Sequence, residues 1–237
     1  IASGSDVDGD GRDDLLVGSP SYDVSLSDGS TALDAGRAVL VSGGMLDEEG
    51  DGVIGTFEGE AMVELFGYDV ALPGDVNGDG LGDVLMGVRG ASRSEDNAGA
   101  AVLVLGSADG FAAGAFDASF LGESPYARVG TTLRSVGDLD GDGQADIALQ
   151  GELNTYDGSE EQYGQGRMYV IHGHEPGWAA NTSLADADAR LDGEATYEAA
   201  GKAYAGGGVN RVLIVSDGAA NLGSAAAEDI LAEVEKF

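Results

Sequence analysis

The sequence has no cysteine, only 4 prolines and no long apolar run among its 237 residues. Without cysteine, disulfide bonds and thiolate metal sites are excluded, and redox chemistry says nothing about the compartment. No apolar stretch approaches the roughly 20 residues of a membrane-spanning helix, so we expect no membrane insertion. Ile1 opens without the basic and apolar regions of a signal peptide, and we expect this start to lie within a longer protein.

Basic residues are also scarce, because 11 Lys and Arg face 43 Asp and Glu, for a formal net charge of −32. This charge repels phosphate backbones and anionic lipid head groups, so we expect no nucleic-acid partner. Carboxylates crowded in clusters repel one another unless a cation lies between them. The composition therefore favours bound metal ions, a high-salt environment, or both.

Glycine is abundant, with 41 residues, and 43% of the chain is hydrophobic. That hydrophobic content is too high for a disordered polyanion, and the glycines indicate many tight turns. The length permits one large all-β domain or two smaller ones. The number of domains must therefore be inferred from repeats in the sequence.

Three nine-residue acidic segments share one pattern, and each is followed at once by a short apolar run that is typical of a strand. The segments, spaced 69 and 63 residues apart, are 6–14 (DVDGDGRDD), 75–83 (DVNGDGLGD) and 138–146 (DLDGDGQAD). We call them loop 1, loop 2 and loop 3, and number their positions 1 to 9. Three copies at this spacing indicate a repeated structural unit.

More of the unit repeats outside the loops. A further strand-like segment recurs at 36–42, 99–105 and 166–172, and a Gly-Glu element recurs at 59–60, 122–123 and 193–194. Each unit thus contains about four short strands in 60 to 70 residues. Short strands split by glycine turns at this period favour propeller blades over a solenoid, which stays possible.

The chemistry of the loops suits Ca²⁺, a hard cation that takes six to eight oxygen ligands. The candidate ligands are the side chains at positions 1, 3, 5 and 9 and the backbone carbonyl at position 7. They are Asp6, Asp8, Asp10, Asp14 and the carbonyl of Arg12; Asp75, Asn77, Asp79, Asp83 and that of Leu81; and Asp138, Asp140, Asp142, Asp146 and that of Gln144. Glycine at position 6 permits the sharp turn around an ion. Loop 2, with Asn77, has one charge fewer and is expected to bind more weakly.

Two other structures could have this pattern of acidic residues. An EF-hand needs a bidentate Glu at position 12 and flanking helices, whereas position 12 here is Val17, Met86 and Leu149 with strand-like runs after each loop. Acidic turns that bind no ion are the remaining alternative. We favour bound calcium because four acidic side chains within nine residues repel one another strongly without a cation.

The repeats resemble the FG-GAP repeats of the integrin α-subunit β-propeller and its bacterial relatives. The elements that carry the resemblance, besides the loops, are Phe66-Gly67, the weaker Val129-Gly130 and Ala200-Gly201, and Gly18-Ser-Pro20. The resemblance spans residues 1 to about 208 and implies an all-β, partial β-propeller of about three four-stranded blades, an arc of a larger ring. It further implies structural calcium, about three ions, in a secreted or cell-surface module with protein or glycan ligands.

The tail, residues 209–237, breaks the pattern because no fourth acidic loop follows where one is due. It predicts a buried strand at 212–215 and an amphipathic helix at 225–237. This short strand-helix (α/β) segment resembles the core of a von Willebrand factor A domain, in which Asp217 would serve a metal-dependent adhesion site. A strand and helix packed on the last blade, or a junction of two fragments, are the alternatives.

No catalytic centre is indicated, because no Ser/His/Asp, Cys/His or paired-carboxylate arrangement occurs outside the loops. His172 and His174 have a spacing that can ligate zinc, but a third ligand is not evident, which favours an exposed turn. We predict a non-enzymatic, calcium-binding structural or adhesive module. The alternative is a non-catalytic propeller fragment of a larger secreted hydrolase or of a metal-dependent A-domain adhesin.

Overall fold

The computed structural model describes residues 1–44, 52–112, 114–153, 165–174 and 178–192. The predicted tail segment 209–237, with Asp217, lies outside these residues. Within them the chain is all-β apart from one 3-10 turn at Leu184–Asp186. The described part contains no helix with the length and hydropathy of a membrane span.

Fifteen strands follow one another along the chain. They are β1 Ala2–Ser3, β2 Leu15–Ser19, β3 Val24–Ser25, β4 Thr31–Ala32, β5 Arg37–Val41, β6 Val53–Glu58, β7 Phe66–Gly74, β8 Asp83–Val88, β9 Ala100–Val104, β10 Ala118–Leu121, β11 Thr132–Gly137, β12 Asp146–Leu153, β13 Gln165–Ile171, β14 Thr182–Ser183 and β15 Ala189–Asp192. The short strands and the glycines between them agree with the turn-rich composition.

The strands form three antiparallel blades and one small hairpin. Blade 1 has the order β1-β2-β5-β6, blade 2 contains β7 to β10 in sequence, and blade 3 has the order β11-β12-β13-β15, while β3 pairs with β4. This confirms the predicted all-β, partial propeller of about three four-stranded blades. One pairing was not predicted: β14, which follows β13 in the chain, adds in parallel to the edge strand β10 of blade 2.

Blade 2 lies between the other two blades and is buried on both faces. On one face Val84, Met86 and Val102 pack with Leu40 and Phe57 of blade 1. On the other face, the residues that alternate with these along the same strands, such as Leu85 and Leu103, pack with Leu149 and Tyr169 of blade 3. Because side chains alternate between the two faces of a strand, β8 after Asp83 and the whole of β9 are apolar instead of alternating with polar residues.

Adjacent blades approach each other closely at paired glycines. A Cβ atom added to Gly87 would lie 2.2 Å from the backbone oxygen of Gly130, and one added to Gly18 would lie 2.2 Å from that of Gly67. These contacts bring a glycine in the second strand of one blade against the Phe-Gly element, or its Val129-Gly130 counterpart, of the next. The equivalent second-strand position of blade 3 is Gln150, which carries a side chain.

Antiparallel connectivity separates the loops into two ends of the molecule. The acidic loops join the first and second strands of each blade and share one end, the acidic-loop end. The connections 20–36 and 89–99, between second and third strands, lie at the opposite end with the blade-to-blade connections 59–65 and 122–131. The two ends therefore carry different sets of loops.

Candidate metal-binding loops

The three acidic loops share one backbone conformation, held by carboxylates that accept backbone N–H groups. At position 1, Asp6 accepts from Gly9 and Gly11 at 2.8 and 2.9 Å, and Asp138 accepts from Gly141 and Gly143 at 2.6 and 3.0 Å. Asp75 accepts from the corresponding glycines of loop 2 at 2.6 and 2.8 Å. The side chains at positions 3 and 5 each accept from the amide two residues further on. Loops of different sequence thus converge on one geometry.

Left-handed backbone at positions 4 and 6 makes the loop possible. The φ angles at position 6 are +86° for Gly11, +91° for Gly80 and +97° for Gly143. At position 4 they lie between +78° and +84°, again at glycine. Only glycine adopts this region at little cost. The glycine at position 6 is predicted from the sequence, and the one at position 4 is a further requirement.

The aspartate at position 9 is buried and anchors each loop to its own blade. One oxygen accepts from the position 2 amide, at 2.6 to 2.7 Å. The other accepts at 2.8 Å from a glycine amide just past the third strand, which is Gly43, Gly106 or Gly173. A Cβ on these glycines would lie 2.1 to 2.6 Å from the position 8 backbone oxygen. A carboxylate that accepts two N–H groups keeps lone pairs for a metal ion.

Sequence reasoning missed these anchoring glycines, although a signal for them exists. Gly43, Gly106 and Gly173 each stand seven residues after the glycine that opens the repeated third strand, at Gly36, Gly99 and Gly166. A repeat comparison extended by one residue would have found them. Their role as partners of a distant carboxylate follows only from the fold, which brings the end of the third strand under the loop.

Carboxylates gather closely in two of the loops. One oxygen from each of Asp6, Asp8 and Asp10 lies within 4.8 Å of the others, and Asp138, Asp140 and Asp146 form a similar group. In loop 2, the Nδ2 of Asn77 donates to Asp79 at 2.9 Å, so an amide dipole replaces one charge. Every donor in these groups is a hard oxygen, a set that fits Ca²⁺ better than softer metals that prefer nitrogen or sulfur.

Burial shifts the ionisation of the position 9 aspartates. Removal from water raises the pKa of Asp14 and of Asp146, against the opposing effect of their backbone hydrogen bonds. For Asp83, burial and then repulsion from Asp79 and Asp75 raise the pKa to about 7. A divalent cation in the loop would reverse this cost because it favours the charged form.

The two histidines point to different surroundings and do not form a joint site. The Nδ1 of His172 lies 3.3 Å from Asp140 of loop 3. The ring of His174 instead contacts that of Trp178 in a tilted arrangement, with ring centroids 4.7 Å apart. The His-Gly-His turn therefore flanks loop 3 with His172 and contacts Trp178 with His174, so the two imidazoles do not face one ion.

Comparison with known proteins gives one family match and several relatives. The model of the FG-GAP repeat matches residues 1–41. Integrin alpha pat-2 of Caenorhabditis elegans is 29% identical over 158 residues, which are 61% of this chain and 12% of that protein. Integrin alpha-IIb of Homo sapiens is 35% identical over 130 residues, 53% of this chain and 12% of that protein.

A third relative extends the similarity along the chain. Integrin alpha-V of Gallus gallus is 29% identical over 194 residues, which are 75% of this chain and 16% of that protein. The chain thus matches only a small fraction, between 12% and 16%, of the length of these relatives. The range matched by the family model, residues 1–41, contains loop 1 and strands β1 to β5.

Proposed function

Because this chain contains an FG-GAP region similar to that of integrin α subunits, we propose that it is a non-catalytic, calcium-binding module. The predicted localisation, secreted or on the cell surface, agrees with the same relatives. The observation that carries the proposal is the common loop geometry, in which carboxylate oxygens converge within 4.8 Å in loops 1 and 3. Millimolar extracellular calcium suits oxygen sites of modest affinity.

In this proposal each loop holds one ion through the side chains at positions 1, 3, 5 and 9 and the carbonyl at position 7. The ion supplies positive charge where the carboxylates repel one another, and it activates no water or substrate. The chain's own contribution is the preformed loop, fixed by the glycines at positions 4 and 6 and by the buried aspartate. The role is structural, because the ion stiffens one end of each blade.

The first prediction concerns three variants, each of which lacks one candidate ligand of one loop. Asp10→Ala, Asp79→Ala and Asp142→Ala each delete the position 5 carboxylate, which also accepts the position 7 amide at 2.8 to 2.9 Å. We expect about three equivalents of calcium in the unsubstituted chain and loss of one equivalent in each variant. Isothermal titration calorimetry measures the stoichiometry directly.

The matched control is Asp109→Ala, an exposed aspartate outside the loops. It removes the same charge, so it separates loss of a ligand from loss of general electrostatic attraction. We expect unchanged stoichiometry and a small change in affinity. Equal losses of binding in Asp109→Ala and in the loop variants would contradict the assignment of the ions to the loops.

A second prediction concerns pH. With the pKa of Asp83 raised to about 7, the ion-free folded state holds a proton that the unfolded chain releases at lower pH. The stability of the ion-free protein should therefore fall as pH rises from about 4, near the pKa of an aspartate in the unfolded chain, to about 7. Calcium displaces the proton, so binding near pH 6 should release protons and binding near pH 8 should not. Calorimetry in two buffers of different ionisation enthalpy measures the release, and identical heats near pH 6 would contradict it.

We propose that adhesive contacts are made by the end of the molecule opposite the acidic loops. Most of the large apolar side chains that the described residues expose lie there: Tyr22, Leu33, Met62, Val63, Tyr68 and Tyr126. Val63 is 51% exposed and has φ +61°, a strained conformation for a β-branched residue. Exposed aromatic and apolar groups at one end of the molecule suit contacts with a protein or glycan ligand. The hydrolase and A-domain alternatives depend on residues outside the described ranges and stay predictions.

A further inference from the structure

Adjacent acidic loops are joined by a peptide group that belongs to the ligand set. The amide of Gly82, at position 8 of loop 2, donates to the backbone oxygen of Asp6, at position 1 of loop 1, with a 2.7 Å separation. The same peptide group carries the carbonyl of Leu81, the position 7 oxygen of loop 2. Because a trans peptide is planar, this carbonyl points away from loop 1 and turns only when the Gly82 amide turns with it.

The same link recurs between loops 2 and 3. The amide of Ala145 donates to the backbone oxygen of Asp75 at 2.8 Å, and its peptide group carries the position 7 carbonyl of Gln144. Two different sequences thus place an identical bond at both blade boundaries. The recurrence indicates a feature of the repeat and not a chance contact at one position.

A second bond ties loop 1 to another ligand of loop 2. The amide of Ser107 donates to the oxygen of Val7 at 2.9 Å, while its neighbour Gly106 donates to Asp83 at 2.8 Å. The carboxylate at position 9 of loop 2 is therefore held by a segment that loop 1 also holds. The side chain of Leu81 also lies against loop 1 at this boundary, since a Cβ added to Gly9 would be 3.2 Å from it.

We propose that the three loops bind calcium as a coupled series, in which each loop positions the position 7 carbonyl of the next. This inference rests on the proposed function of the loops. An ion in loop 1 fixes Asp6 and with it the acceptor of the Gly82 amide, which orients the Leu81 carbonyl for loop 2. Linkage makes the effect reciprocal, so an ion in loop 2 strengthens binding in loop 1 by the same factor.

The series predicts a distance rule. Loops 1 and 2 are neighbours, and so are loops 2 and 3, but loop 2 separates loop 1 from loop 3. Emptying loop 1 should therefore weaken loop 2 by about 5-fold or more, the lower end of ordinary coupling, and weaken loop 3 by less than about 2-fold. Emptying loop 3 should in turn weaken loop 2 and largely spare loop 1.

The experiment follows each loop separately in the full chain. The position 6 amides of Gly11, Gly80 and Gly143 donate to the position 1 carboxylates, so their NMR signals report on their own loop. Calcium titrations of the unsubstituted chain, Asp10→Ala and Asp142→Ala then give a midpoint for each loop. Repeating them in about 1 M NaCl, where the screening length is about 3 Å, removes effects of charge at a distance.

A variant at the boundary tests the path. Leu81→Ala keeps the backbone carbonyl and removes the side chain that packs on Gly9. Because the Gly82 amide and its bond to Asp6 remain, the ratio of the loop 2 midpoints with and without Asp10→Ala should stay at about 5 or more, and a ratio near 1 would overturn the path through the peptide group. Any effect of Leu81→Ala on loop 2 alone cancels in that ratio. The corresponding ratio between loops 2 and 3 should be unchanged.

The possible results separate the inference from the proposed function. Neighbour effects of about 5-fold that survive in salt, with a smaller effect between loops 1 and 3, support the series. Three amides that respond to calcium with midpoints independent of one another overturn the series and leave the proposed function standing. Equal weakening of loops 2 and 3 by Asp10→Ala overturns the serial path, and amides that ignore calcium overturn both proposals.

Discussion

Removing calcium with a chelator is expected to lower the melting temperature of this chain by about 15 to 30 °C. A site that is saturated at about 100 times its dissociation constant adds about 2.7 kcal/mol of stability, or about 8 kcal/mol for three sites. In a chain of this size, each kcal/mol shifts the melting temperature by about 2 to 4 °C. The effect is expected to be large because loops 1 and 3 each hold three carboxylates within 4.8 Å, and these carboxylates repel one another when no ion lies between them.

Thermal melting followed by circular dichroism measures this effect with calcium and with chelator. The net charge of −32 means that any salt stabilises the chain by screening, so the chelated sample needs added NaCl at matched ionic strength. A magnesium sample is a second control, because Mg²⁺ demands a tighter octahedral site. Equal melting temperatures in calcium and in matched NaCl would contradict a structural role for the ions.

The second large effect is expected from Gly87→Ala, which adds one methyl group at the boundary between blades 2 and 3. That methyl carbon would lie 2.2 Å from the backbone oxygen of Gly130, far inside contact distance. The obstacle is backbone, so no side chain can rotate away and the blades must separate. We expect a loss of about 3 kcal/mol, which is the upper end of ordinary overpacking, with a melting temperature lower by about 6 to 12 °C.

The chain offers its own control at the equivalent position of blade 3. Gln150 already carries a side chain there and is only half-buried, so Gln150→Ala should change stability by no more than about 0.5 kcal/mol. Both variants are compared by chemical denaturation in saturating calcium. Similar stabilities for Gly87→Ala and Gln150→Ala would show that the close approach of the blades does not constrain position 87.

The blades and the acidic loops could be predicted because they repeat along the sequence. A single acidic loop would not distinguish a calcium site of this type from an EF-hand or from a turn without an ion. Three copies, each followed by an apolar run of strand length, predict where the second strand of each blade begins. The structure agrees, with β8 beginning at Asp83 and β12 at Asp146. Hydrophobic alternation, by contrast, disappears in blade 2 because both of its faces are buried.

What could not be predicted depends on contacts between distant parts of the chain. The bond from Gly106 to Asp83 and the bond from Gly82 to Asp6 join residues that no local pattern connects. The same holds for the left-handed Val63 and Tyr126, whose amides bond to Leu33 and Asp96 across two connections. Tertiary hydrogen bonds override the local preference of these residues for negative φ.

The parallel pairing of β14 with β10 has a consequence for synthesis of the protein. Phe120 pairs with Thr182, so the edge of blade 2 stays open until the first three strands of blade 3 have left the ribosome. An unpaired apolar edge is a template for pairing with other nascent chains. Blade 2 is thus completed by a segment that is made after three strands of its neighbour, and in the interval before β14 emerges its open edge can pair with another growing chain.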